Sequence, residues 1–110
     1  MIPETIHKIE EKIQEADSID NPTRSDLLEL VSRLRTEIED VSKTHLEEAQ
    51  SIAGFAQVLT HEATRREQNP PLLKLAVDGL RLSVLQFEQS HPKLTDAVRT
   101  LSRMLSDIGI

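Results

Sequence analysis

Leu94-x-x-x-Val98-x-x-Leu101-x-x-x-Leu105-x-x-Ile108, led in by Phe87-Glu88-Gln89-Ser90-His91-Pro92-Lys93 and closed by Gly109-Ile110, decides the fold. Steps of four and three put the five apolar side chains on one face of a helix. Ser90-His91-Pro92 separates it from what precedes, because a residue before proline avoids the α region and proline fits a first helical turn. Gly109 stands where a left-handed cap residue is expected, with Ile110 folding back onto Leu105 as its apolar partner. The pattern speaks for helix packing and names no reaction.

Upstream, Leu73, Val77, Leu80, Val84 and Phe87 form one stripe of a helix from about Pro71 to Gln89, and Leu72, Leu75, Leu82 and Leu85 form a second. Two apolar faces imply two neighbours, so this is expected to be the central helix, or one that also serves a subunit interface. Gly79 inside it costs about 1 kcal/mol relative to Ala, which implies a close approach there. Asn69-Pro70-Pro71 opens it, with Asn as cap.

Between Asn21-Pro22 and Arg66 the stripe Leu27, Val31, Leu34, Ile38 and Val41 runs in phase through His45 and Glu48 to Ile52, Phe55 and Leu59. Two readings stay open. One continuous rod over about 22–66 would span roughly 65–70 Å at 1.5 Å per residue. Alternatively the chain breaks near Ser42–Thr44, with Thr44 capping a separate helix and Glu47 completing the capping box. Ala49, Ala53, Ala56 and Ala63 add a small-residue stripe suited to close helix approach. At the N-terminus Ile2, Ile6, Ile9, Ile13 and Ala16 make a narrow isoleucine seam, closer to coiled-coil pairing than to a deeply sunk helix. No internal repeat or low-complexity tract stands out.

The fold class is therefore all-α: an antiparallel bundle of four to five helices in a single domain over 1–110, with coiled-coil-like dimeric packing expected. Composition agrees. Of 110 residues 37% are hydrophobic and 29% charged, with Phe55 and Phe87 the only aromatics and no Cys, so aliphatic side chains must do the packing. No apolar run of about 18 residues exists to span a membrane. No basic start followed by an apolar core marks a secretory leader, leaving cytoplasmic location as the default.

Net charge is −6. Residues 1–50 carry 13 acids against 6 bases, and residues 51–110 carry 6 against 7. Nucleic acid is not expected as a partner, since no basic cluster is present to neutralise phosphates. An acidic half commonly forms solvated helix faces, and it also suits an adaptor that holds a basic partner.

The Phe87-Glu88-x-Ser90-His91-Pro92-x-Leu94-Thr95 run and the terminal Leu105-Ser106-x-Ile108-Gly109-Ile110 resemble a family of small, acidic, helical bacterial proteins of unknown function. The resemblance covers about Leu72 to Ile110, with Thr44–Gln68 looking like additional length. It implies a bacterial cytosolic helical protein and no catalytic activity.

Two Glu-x-x-His spacings, Glu4/His7 and Glu88/His91, match what carboxylate-bridged di-metal bundles use, with Glu37 and Glu62 as further candidates. Their positions argue against that: Glu4 and His7 lie in a first turn, and His91 abuts Pro92 at a helix junction. His91 is expected instead to bond a carbonyl or carboxylate at that corner, and Glu88 to reach the first amides of the last helix. His45 and His61 read as surface or edge-of-core residues. No strained Gly-x-Ser-x-Gly turn, phosphate loop or paired metal spacing is present. The expectation is a non-enzyme without cofactor, a homodimer acting in protein–protein interaction or scaffolding. Its interface is placed on Ile6, Ile9, Ile13, Leu27, Val31, Leu34 and Ile38, with Glu88, Ser90, His91, Pro92, Gly109 and Ile110 as the structural junction and cap.

Overall fold

A computed structural model describes residues Met1–Gly109. Five helices follow in order: α1 (Ile2–Glu15), α2 (Asn21–Ser42), α3 (Leu46–Ala63), α4 (Pro70–Val84), extended by a 3-10 turn at Leu85–Phe87, and α5 (Pro92–Ile108). The all-α expectation holds. Of the two readings of the long middle segment, the break is the one realised: the principal extents are 37 × 26 × 22 Å, far too short for a rod over 22–66.

The caps differ in detail from expectation. Asp20 caps α2; its carboxylate accepts from the Thr23 amide at 2.8 Å. That contact holds the Asp20 carboxyl below its ordinary value of 3.8. A depressed folded-state value means the contribution is complete above 3.8 and disappears as pH falls through the lower folded value. Asp20→Ala is therefore expected to lower the thermal midpoint at neutral pH, with the gap to the parent closing in acid melts below 3.8. At the second break, Thr44 does not cap α3. His45 occupies that position without a side-chain cap bond, and the Thr44 hydroxyl bonds the His45 ring at 2.8 Å instead. The turn arises because the His45 amide bonds back to Val41 O at 2.8 Å while His45 itself leaves the helical region, at φ −137°, ψ 66°.

α3 is the central helix; it touches each of the other four, whereas α4 packs on α3 and α5. Ala49, Ala53, Ala56 and Ala63 explain the exchange of roles, since small side chains let neighbours close in on several sides. Gly79 is a close-approach position: a Cβ there would lie 2.6 Å from the Phe55 ring, so the neighbour is an aromatic side chain. Gly109 also serves proximity rather than handedness. Its φ is −78°, not left-handed, and a Cβ would meet Leu73 Cδ2 at 2.8 Å and Ala63 Cα at 3.3 Å. Ile110 lies outside the described residues.

The seven residues expected at a dimer interface (Ile6, Ile9, Ile13, Leu27, Val31, Leu34 and Ile38) are each 0% exposed in the single chain. They form the core itself, because the α1 seam is completed by α2 and α3 of the same chain. A second copy has to use another surface.

An internal repeat, which sequence inspection does not pick out, is visible in the fold. Residues 27–63 and 73–109 form two αα-hairpins whose positions correspond at an offset of 46. Leu27, Val31, Leu34, Ile38 and Val41 match Leu73, Val77, Leu80, Val84 and Phe87; Thr44-His45 matches Ser90-His91. The two histidines share one backbone conformation, φ −137°, ψ 66° and φ −138°, ψ 66°. Each donates its amide 2.8 Å to the carbonyl four residues back, Val41 or Phe87. Each ring Nδ1 meets the preceding hydroxyl, Thr44 at 2.8 Å and Ser90 at 3.0 Å. Helix α1 seats on α2 and α3 of the first hairpin and, among the described residues, touches neither helix of the second.

Candidate functional site

The sequence-selected metal ligands do not converge. Glu4 pairs with the N-terminal ammonium and His7 faces Glu11 at 3.4 Å, both on the solvent side of α1. Among the described residues no group of three or more His, Asp or Glu side chains is placed to hold a metal ion. His91 behaves as a corner residue: Nε2 lies 3.5 Å from Asp40 Oδ2 at the end of α2. The carboxylate therefore comes from the other hairpin rather than from the α4–α5 corner itself. Rings of His45 and His91 both meet Phe87 edge-on, at 5.4 and 5.5 Å, so the buried phenylalanine is the hub joining the two hairpin turns. Glu88 is exposed and does not cap α5; His91 is the cap residue, without a side-chain cap bond, and Pro92 is the first helical residue.

The acids of α2 are partly matched within their own helix, Glu29 with Arg33 at 3.1 Å and Glu39 with Arg35 at 3.0 Å, while Asp40 faces Lys43 and His91. Such exposed pairs contribute little to stability, but they reduce the field an adaptor for basic partners would use.

What the fold leaves uncovered is apolar. On α4, Leu72, Leu75 and Leu82 point outward, with Leu75 64% and Leu82 67% exposed. On α3, Phe55 and Val58 lie beside them at 41% and 48%. Phe55 rests on Gly79, which lies between Leu75 and Leu82 on the same α4 face, so the two helices present one continuous strip. Together these side chains expose roughly 500 Å² of apolar surface, the upper end of what monomeric proteins tolerate in one patch. The signal was in the sequence as the second leucine stripe of α4; the α3 contribution was masked because Phe55 sits in phase with Ile52 and Leu59. Further along α3, Glu62 is only 8% exposed and accepts from Arg65 at 2.8 Å.

Against family models, residues 27–110 match the domain of unknown function DUF4404. The chain belongs to the DUF4404 family. No curated protein and no solved structure matches it. The DUF4404 match opens at Leu27, the first residue of the internal repeat, and spans both hairpins. Thr44–Gln68 is accordingly part of the DUF4404 region rather than additional length, and α1 with the first turns of α2 lies ahead of it. No helix among the described residues is long and apolar enough to cross a membrane.

Proposed function

We propose that this DUF4404 chain is a non-catalytic helical interaction module that works as a homodimer, pairing through the outward strip of α3 and α4. The observation that carries the reading is the strip itself: Phe55, Val58, Leu72, Leu75 and Leu82 uncovered side by side while the core beneath is closed. Two such strips plus a polar rim approach the roughly 1,600 Å² of a standard interface. A two-fold axis suits it, since one self-complementary patch then closes the assembly. Gly54 supports the same face. It lies one turn from Val58, inside α3, and nothing within 4 Å surrounds its absent Cβ. The monomer has no use for that glycine, whereas a second backbone approaching α3 does.

Light scattering at micromolar concentration is expected to return the mass of two chains. Leu75→Glu combined with Leu82→Glu should weaken association at least about a hundredfold, from the loss of two buried leucines at about 1.5–3 kcal/mol each. Circular dichroism of that variant should match the parent, because both side chains are solvent-facing. A parent that stays monomeric across the micromolar range overturns the dimer.

A further inference from the structure

The two hairpins are alike, yet only the first carries a third helix. α1 lies along α2 and α3, and Val31, Ile38, Ile52 and Ala56 of those two helices are each 0% exposed. The corresponding positions of the second hairpin, Val77, Val84, Val98 and Ser102, line a groove of about 350 Å³ between α4 and α5, with Val84, Val98 and Ser102 already no more than 5% exposed at its floor although no third helix lies there. Its rim differs in charge. Arg99 and Arg103 stand where the first hairpin has Ala53 and Gln57, and Arg81 faces the same groove. Arg99 has a loose exposed partner in Asp96 at 3.5 Å. The one acid lining the groove is Glu88, at the end where α5 begins.

Ser102 supplies an independent sign. It is 5% exposed, and its hydroxyl has no hydrogen-bond partner. The other buried helical hydroxyls are satisfied: Thr60 bonds Ala56 O at 2.8 Å and Thr95 bonds Pro92 O at 3.0 Å. An unmet buried hydroxyl costs free energy unless a ligand group reaches it. At the corresponding place in the first hairpin, Ala56 is covered.

We propose that the α4–α5 groove is a docking site for an acidic amphipathic helix supplied by a partner protein, seated on the second hairpin as α1 is seated on the first. Small apolar side chains line the floor, as a helix-in-groove contact requires. Three arginines on an otherwise acidic chain select a negatively charged helix and reject a basic one. α1 itself shows the chemistry: an isoleucine stripe flanked by Glu4, Glu10, Glu11 and Glu15 against Lys8 and Lys12. The site is separate from the outward strip of α3 and α4, so it stands or falls independently of the dimer.

The probe is a peptide of residues 1–17, held helical by a hydrocarbon staple on its polar side, titrated into the full-length chain and followed by amide chemical shifts. Saturable binding is expected, with shifts confined to α4 and α5. Arg99→Gln with Arg103→Gln should weaken it about tenfold, as should replacing the peptide's glutamates by Gln, and added salt should weaken the parent complex. Ser102→Leu should block the groove, while Leu75→Glu/Leu82→Glu should leave peptide binding unchanged. Four outcomes overturn the proposal. One is the absence of saturable shifts; another is shifts on α2 and α3, meaning that the peptide merely displaces α1. The third is saturation by phenyl phosphate without peptide binding, which makes the groove a small-anion site. Should the arginine variants dissolve the homodimer instead, the occupant is a second copy and the partner helix is rejected.

Discussion

Phe87→Ala is expected to lower the unfolding free energy by about 3–5 kcal/mol, the cost of deleting a buried aromatic from a core that refills only partly. Phe87 is 2% exposed and sits at the hub where the turn of each hairpin meets the other. Its ring is the shared wall for His45 and His91, the residues that end one helix and begin the next in each repeat. Truncation therefore removes packing and also loosens two chain reversals. Phe87→Leu, which keeps most of the volume, should cost less than half as much. Urea denaturation with a fixed slope is the measurement, since a change of midpoint alone then reports stability. With a total stability on the order of 5–15 kcal/mol for a domain of this kind, the Ala variant is expected to melt many degrees lower. A loss under about 1 kcal/mol would mean that the two hairpins hold together without their hub.

Arg24→Met is expected to cost about 3 kcal/mol. The guanidinium of Arg24, in the first turn of α2, reaches across the α1–α2 corner to three carbonyls: Ile13 at 2.9 Å, Gln14 at 2.7 Å and Ile19 at 2.6 Å. Two belong to the last turn of α1, where carbonyls have no intrahelical partner and a positive charge favours the helix dipole. α1 ends without a glycine cap, at Ala16 in an extended conformation, so Arg24 does that work from outside. Hydrogen bonds to a charged group contribute more than neutral ones, about 1.5–3 kcal/mol, and the partly buried carbonyls left behind add their own penalty. Arg24→Lys keeps the charge but replaces the planar fork by a point donor, and should recover no more than half the loss. Amide exchange gives the sharper readout: protection should fall first in α1, ahead of α3 and α5. A uniform loss across all five helices would show that Arg24 does not anchor α1 specifically.

Arg24 also shows what sequence reading reaches. Nothing local marks an arginine that binds carbonyls ten and eleven residues back, and only the corner geometry assigns it. Periodicity, by contrast, marked every helical stretch but ran in phase through the α2–α3 break, because burial of one face repeats every three or four residues whatever the neighbour is. The same periodicity misassigned the isoleucine seam to a second copy: a stripe states that something covers it, not which helix does. Gly109 misled in a similar way. A glycine after a helix reads as a left-handed cap, yet here its lack of a side chain makes room for Leu73 and Ala63. The internal repeat escaped notice because few of its positions are identical; what recurs is burial and the paired hydroxyl–histidine turns.

The candidate surfaces divide along the same line. Leu72, Leu75 and Leu82 were legible as a stripe beyond what one neighbour needs, while Phe55 joined them only when α3 came alongside Gly79. The arginine groove was not legible, since Arg81 lies on a different helix from the Arg99–Arg103 pair and an i, i+4 arginine pair is ordinary by itself.

By itself, the order of apolar and polar residues determined that this chain is helical, where its helices start and stop within a few residues except at the α2–α3 break, and that aliphatic packing holds them. Tertiary structure decided which stripe meets which, that α1 closes the first hairpin and leaves the second open, and which apolar faces remain for partners. The reason is physical: helix formation and amphipathicity are set by neighbours three and four residues away, whereas the choice of partner depends on shape and charge between segments that the chain brings together only on folding.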